Sequence, residues 1–253
     1  MGKIRLDDIS TRAPKDFDKE ATKTKTQEIL QELDELQNLL FAESKHAILV
    51  ILQGPDASGK DGVIRNVFTS MNPQGINVKS FKTPTALELS HDFLWRIHAV
   101  VPAKGMIHIF NRSQYEDVLI TRVHKWIDDE GAYKRMKAIN DFERLLQEHN
   151  STRILKFYLH VSPEEQQERL QERIQDRTKQ WKYNENDFKE AKLWKEYRKA
   201  YEDCLEHCND IPWTVVPADQ NWYKEYMIAS ELLATLKKLD MKYPGLKKSN
   251  EGF

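Results

Sequence analysis

An apolar run of strand length, residues 47–53, stops at a glycine, and Gly54-Pro55-Asp56-Ala57-Ser58-Gly59-Lys60-Asp61-Gly62 follows it. Val63-Ile64-Arg65-Asn66-Val67-Phe68 then reads as the opening of a helix. The spacing from Gly54 to Gly59 and Lys60 is that of a phosphate-binding loop, G-x-x-x-x-G-K. Strand, glycine-rich turn and helix in this order leave few folds open. The strand belongs inside a sheet, with the turn at its carboxyl end. Glycines let the backbone curl so that several N–H groups point into one concavity. The helix N-terminus adds its positive end, and Lys60 a mobile charge. Of nine glycines in 253 residues, three fall in this loop, so the chain spends a scarce residue here. Gly54, Ala57, Ser58, Gly59, Gly62 and Arg65 are its candidate phosphate contacts.

The residue after the lysine breaks the pattern. A P-loop nucleotidase carries Ser or Thr there as a Mg²⁺ ligand, and this chain carries Asp61, with Asp56 inside the loop as well. Carboxylates in a phosphate cradle repel phosphate unless a cation neutralises them. A hard divalent ion, Mg²⁺ with Mn²⁺ as its substitute, takes oxygen ligands and bridges to phosphate oxygens. The loop therefore points to phosphoryl transfer with metal held by carboxylates.

Strand and helix signals alternate along the rest of the chain. Strands are expected at 47–53, 76–81, 106–110, 153–160 and 212–217. Helices are expected at 23–41, 59–69, 87–100, 114–126, 132–148, 163–177, 187–208 and 222–239. Such alternation means a parallel sheet with helices on both faces, and ligands beyond the carboxyl ends of its strands. The expected fold is α/β: a three-layer α/β/α P-loop kinase-like fold with a five-stranded parallel sheet and a helical lid. Residues 1–22 read as a solvated N-terminal arm, 23–241 as one domain with a lid at about 165–187, and 242–253 as a basic tail. Lys3, Arg5, Arg12 and Lys15 give the arm a positive character. Net charge is −1, so attraction for phosphate has to come from local clustering. The cysteines, Cys204 and Cys208, suit a reducing, cytoplasmic setting, and no apolar run reaches the length of a membrane span.

Two further segments complete a site. After the third strand comes Phe110-Asn111-Arg112-Ser113-Gln114-Tyr115-Glu116-Asp117, with Arg112 at the strand end, where it can fork onto phosphate oxygens. Glu116 and Asp117 begin the next helix, and the segment reads as the second metal-ligand provider beside Asp56, displaced by several residues from the usual strand-end acid. Nothing is expected of Gln114. After the fourth strand Arg169, Arg173 and Arg177 recur every four residues, on one helical face, and Lys179 and Lys182 extend the positive stretch. Lid arginines close over a transferring phosphoryl group and neutralise its charge. Asn111, Glu116, Arg122, Arg169, Arg177 and Lys182 complete the candidate phosphate and nucleotide contacts, and Asp56, Lys60, Asp61, Arg112, Asp117 and Arg173 the candidate catalytic set. Basic and aromatic residues interleave too briefly for nucleic-acid binding.

The loop at 54–62 and the stretch Asn111-Arg112-Ser113-Gln114-Tyr115-Glu116-Asp117-Val118-Leu119 together resemble the signature motifs of the family-2 polyphosphate kinases. Asp61 in place of Ser or Thr is part of that pattern. The resemblance spans about residues 30–240 and implies a thymidylate-kinase-like fold and Mg²⁺-dependent phosphoryl transfer between inorganic polyphosphate and nucleoside mono- and diphosphates. It implies metal at Asp56 and Asp117, and phosphate contacts at Lys60, Arg112, Arg173 and Arg177. The Tyr-Glu-Asp form is similar to the subgroup acting on both AMP and ADP, and members commonly form homodimers or homotetramers. An ordinary ATP-dependent nucleotide or small-molecule kinase is the rival enzyme, and a non-catalytic nucleotide- or polyphosphate-binding regulator is the rival from another class.

Overall fold

The computed structural model describes residues 4–246. Its sheet has the order β2-β3-β1-β4-β5, with every neighbouring pair parallel. The strands are β1 (Ala47–Gln53), β2 (Ile76–Ser80), β3 (Ile107–Asn111), β4 (Thr152–His160) and β5 (Trp213–Pro217). Central β1 is buried at every residue, which is why its sequence is an unbroken apolar run rather than an alternating one. Its side chains still divide by parity. Ile48, Val50 and Leu52 enter one core, and Leu49 and Ile51 the other.

Helices cover both faces: α1 (Lys19–Glu43), α2 (Lys60–Val67), α3 (Ala86–Leu89), α4 (Trp95–His98), α5 (Glu116–Val123), α6 (Asp129–Asn150), α7 (Pro163–Gln175), α8 (Glu185–Ala191), α9 (Trp194–His207) and α10 (Asn221–Lys237). One core joins the sheet to α1, α2 and α10 through Leu33, Leu40, Val63, Ile228 and Leu232. The other joins it to α5, α6 and α9 through Leu119, Met136, Ile139 and Leu205. This is the α/β three-layer arrangement the alternation predicts. Among the described residues no helix is long and apolar enough to cross a membrane.

Four expectations need correction. The helix expected at 87–100 is two single turns, because local side chains supply caps in mid-segment. Thr85 and Glu88 form a reciprocal capping box, and the Asp92 carboxylate accepts from the Leu94 N–H at 2.9 Å, restarting the turn. The helix expected at 187–208 breaks at Lys192–Leu193. The break lets Glu190, Trp194 and Tyr197 line a cleft with Asp56, Arg112 and Glu116. Helix α7 stops at Gln175 because the Asp176 side chain accepts from the Thr178 N–H (2.9 Å) and hydroxyl (2.7 Å). Arg177 therefore leaves the face it was expected to share with Arg169 and Arg173.

The fourth correction concerns the N-terminus. Leu6 is fully buried, and its N–H donates to Glu202 Oε1 at 2.8 Å. Thr11 Oγ1 donates to Asp219 at 2.7 Å, and the Ala13 N–H to Gln220 Oε1 at 2.8 Å. The segment is a strap across the carboxyl ends of β4 and β5 rather than a solvated arm. Arg5, Arg12 and Lys15 are exposed on it. Lys3, and the tail beyond residue 246, lie outside the described residues.

Candidate active site

A cavity of about 510 Å³ opens at the carboxyl ends of the strands, lined among others by Asp56, Lys60, Asp61, Arg112, Arg173 and Lys182. Its floor is the loop between β1 and α2. Gly59 takes φ +94°, and a Cβ there would collide with the ammonium of Lys224. Ala57 (φ 63°) and Arg112 (φ 62°) are also left-handed, although neither is glycine. Each costs about 1–3 kcal/mol, so the surrounding contacts must hold them in place. Lys60 Nζ is folded onto its own loop, donating to Gly54 O at 2.7 Å and Pro55 O at 3.0 Å. Burial, then repulsion from Arg112, lowers its pKa to about 8.

The acids are arranged differently from the expectation. Asp56 pairs with Arg112 Nη2, and Arg112 Nη1 donates to Glu116 Oε2 at 3.0 Å. With the Gln53 amide oriented to suit its neighbours, its nitrogen donates to Glu116 Oε1 at 3.1 Å. Burial raises the Asp56 pKa, but Arg112, Lys60 and Arg173 outweigh it and hold the carboxyl below its ordinary value. Asp117 turns to other partners: Arg135 Nη1 at 3.7 Å and Arg96 Nη2 at 4.0 Å. The charges of Asp56, Glu116 and Asp61 all act on Lys60. The acid that shares an arginine with Asp56 is therefore Glu116, while Asp117, expected beside Asp56 at a metal, has Arg96 and Arg135 as its ion-pair partners. Adjacent residues of a helix point about 100° apart, and Glu116 and Asp117 accordingly take different arginine partners.

Asp61 links loop to lid. It accepts from Asn111 Nδ2 at 2.8 Å and Lys182 Nζ at 3.0 Å, and these bonds pull its pKa down against the opposing effect of burial. Arg173 pairs with Asp187, and Lys179 with Glu172 at 2.5 Å. Arg169 is a brace. Its donors go to Ala57 O (3.1 Å), Ala218 O (2.8 Å) and Glu165 (2.9 Å), tying the loop to the end of β5. Arg122 is held by Asp129 (2.7 Å) and Asp203 (2.5 Å), away from the cavity, because α5 turns its far end toward α9. Arg177 is exposed past the end of α7, and Arg65 faces a neighbouring groove. Ala57, Gly59, Gly62 and Asn111 line the cavity. Gly54 lines the adjoining aromatic cleft, and Ser58 is fully buried beneath the loop.

Some contributors have no place in the sequence reading. Lys224 is fully buried in α10, and its Nζ donates to Asn221 Oδ1 at 2.8 Å and to Ser58 O at 3.3 Å. Burial, then repulsion from Arg169, lowers its pKa to about 7. A signal was available: Lys224, Ile228 and Leu232 fall every four residues, so the lysine occupies the apolar stripe. Gln114, from which nothing was expected, is buried and donates to Glu143 Oε1 at 2.9 Å. Tyr115 Oη (2.7 Å) and Lys156 Nζ (2.8 Å) also bind Glu143, so a buried polar network anchors the turn that presents Arg112 and Glu116. A lysine set between Leu155 and Phe157, inside the apolar stretch of β4, was the available sign.

The family model described as Polyphosphate kinase 2 matches residues 16–244, nearly the whole chain. The chain belongs to the polyphosphate kinase 2 family. Relatives in this family include the AMP/ADP-polyphosphate phosphotransferase of Meiothermus ruber, 47% identical over 214 residues, 84% of this chain and 80% of the relative. The ADP-polyphosphate phosphotransferase of Rhodopseudomonas palustris is 43% identical over 229 residues, 85% of this chain and 79% of the relative. The crystal structure of Polyphosphate Kinase 2 from Arthrobacter aurescens superposes with a TM-score of 0.93 at 40% identity, covering 97% of this chain and 89% of that one.

The chemistry of the family calls for a divalent cation, and the donor set suits one. Asp56 and Glu116 already flank one positive group, the Arg112 guanidinium. Mg²⁺ needs only one or two protein carboxylates when phosphate oxygens and waters complete its shell. Among the described residues no group of three or more His, Cys, Asp or Glu could hold a metal ion.

Proposed function

We propose that this chain transfers phosphoryl groups reversibly between inorganic polyphosphate and nucleotides, converting AMP to ADP and ADP to ATP. The observation that carries this reading is a phosphate cradle ringed by cations. Lys60, Arg112, Arg173, Lys179 and Lys182 surround one cavity and outnumber its lining acids Asp56, Asp61 and Glu172. Two phosphorylated substrates meeting end to end would take these cations over from their carboxylate partners. The Tyr115-Glu116-Asp117 form and the Meiothermus ruber relative's printed name support both AMP and ADP as acceptors. Guanine nucleotides are a further acceptor class.

Positioning and electrostatics carry such transfers, and the protein makes no covalent bond. The backbone N–H groups of the loop and Lys60 hold the phosphate chain. Lys60 leaves the carbonyls of Gly54 and Pro55 for the incoming anion. Asp56, with Glu116, would hold Mg²⁺, which when bound neutralises charge on the phosphate oxygens. Arg112 balances charge on the transferred group, and Arg173, on the lid side, does so from the opposite wall. Asp61 latches the lid through Lys182. The working unit is proposed to be a homodimer or homotetramer.

The test is a single assay: purified protein, Mg²⁺ and polyphosphate with AMP, ADP, GMP or GDP in turn, products resolved by chromatography. ADP from AMP and ATP from ADP are expected. Activity with ATP alone as donor would favour the ordinary kinase, and binding without turnover the regulator.

A further inference from the structure

Arg169, Arg173, Lys179 and Lys182 line the active-site cavity from α7 and the turns after it, and each already has a carboxylate partner. Arg169 pairs with Glu165 and is fixed by backbone carbonyls as well. Lys179 pairs with Glu172 and Lys182 with Asp61, in contacts that water reaches and that a polyanion displaces at little cost. Arg173 and Asp187 differ. Their side chains are 17% and 15% exposed, against 33% or more in the two lysine pairs. The pair also bridges two helices, from the last turn of α7 to the first turn of α8. Both members are close enough to Asp56 for charge to act between them. Arg173 helps to hold the Asp56 carboxyl below its ordinary value. Burial, then the like charge of Asp56, raises the pKa of Asp187 against the pull of Arg173.

Resting on the function proposed above, we infer that Asp187 is a positioning residue: an internal competitor that takes Arg173 back from the phosphates after each transfer and so sets the rate of product release. An arginine held equally by substrate, transition state and product lowers KM without raising kcat. A tightly held product then limits turnover. A carboxylate waiting beside the arginine removes that surplus. When Arg173 turns to a phosphate, Asp187 is left poorly hydrated and next to Asp56, and an unpaired charge in such a place is costly. That cost is returned when the arginine comes back, so the ion pair acts as a spring on the lid side of the cavity.

The test is the affinity for tripolyphosphate, titrated by calorimetry with Mg²⁺ present. Asp187→Asn is expected to bind it about tenfold more tightly than wild type, the scale of one charge-assisted hydrogen bond no longer contested. Asp187→Glu should return the affinity to near the wild-type value. In an Arg173→Met background the further change Asp187→Asn should have no effect, because Asp187 acts through that arginine. Glu185→Gln removes a charge from the same helix whose partner is Lys189, and is expected to bind as wild type does. In turnover with polyphosphate and ADP, Asp187→Asn should lower KM and kcat together, with a burst of product in the first cycle. An equal gain in Glu185→Gln, or a gain that survives in Arg173→Met, makes Asp187 part of the general field and overturns the inference. Weaker binding in Asp187→Asn with a lowered Tm makes the pair a structural tie and also overturns it. Loss of kcat with unchanged affinity places Asp187 among the reacting groups, which overturns it too. The titrations hold their meaning without turnover, so an inactive wild type would sink the proposed reaction and leave the competition measurable.

Discussion

Lys60 and Lys224 carry positive charge in poor surroundings for it, with pKa values lowered from 10.5 to about 8 and about 7. Between those values and 10.5 the unfolded chain binds more protons than the native one, so unliganded stability rises with pH through this window. Anion binding works in the opposite sense, because the charged form of Lys60 is the one a phosphate attracts. The stabilisation of the protein by tripolyphosphate, read as a shift in Tm, is therefore expected to shrink as pH rises through about 8. Lys60→Arg keeps its charge and should remove most of that trend. A tripolyphosphate effect that grows with pH in the wild type would contradict this account of the cradle. The neighbouring acids Glu116 and Asp117 divide in a similar way. Asp56→Asn and Glu116→Gln are expected to lower kcat by about 10²-fold or more, the scale on which aligned charges act on a transition state. Asp117→Asn loses long contacts to Arg96 and Arg135 and should cost about 1 kcal/mol of stability with turnover within a few-fold of wild type. If steady-state kinetics of Asp117→Asn match those of Asp56→Asn, then Asp117 reaches the reacting groups and the assignment to Glu116 fails.

Among the elements, the start of α5 depends most on its support. The turn from Arg112 to Glu116 rests on Glu143 of α6 and Lys156 of β4, a pair at 2.8 Å with almost no exposure on either side chain. Lys156 Nζ also donates to Tyr115 Oη at 2.9 Å and Cys208 O at 2.8 Å, so each of its three protons has an acceptor. Removing one partner strands a buried charge. Lys156→Met is expected to lower stability by about 3–5 kcal/mol in urea unfolding, and Glu143→Leu by a similar amount. The double variant should lose less than the sum, since neither charge is then left unpaired. Simple additivity would mean that the network is not a unit. The other α5 end is held by Arg122 against Asp129 and Asp203, so this helix is clamped at both ends although the motif reports only its first turn.

On the scale of the whole molecule, the N-terminal strap ties the end of the sheet to α9. It crosses the ends of β4 and β5, where His160 Nε2 lies 3.0 Å from Ile9 O and Arg198 pairs with Asp7 at 2.7 Å. Leu6 is its plug in the second core. Leu6→Ala is expected to cost about 2–5 kcal/mol, the range for emptying a well-packed aliphatic site. For a chain of this size that lowers Tm by roughly 5–15 °C. Thermal unfolding of Leu6→Ala with no change in Tm would return the segment to the solvated arm that its composition suggests.

Much of the architecture is legible in the chain because it depends on short-range patterns. An unbroken apolar run demanded a strand buried on both faces, and a glycine loop followed by helix demanded an anion cradle at its end. Alternation of strand and helix then demanded a parallel sheet. What tertiary structure decided is direction. Whether Glu116 or Asp117 meets Arg112 depends on the rotational phase of α5, and that phase is set by Glu143 and Lys156, which come from distant parts of the chain. The same holds for Arg169 and Arg177, whose even spacing implied one face until Asp176 ended the helix. Spacing in a sequence is local, whereas the partner that captures a charged side chain is whichever group the fold brings within a few ångströms of it.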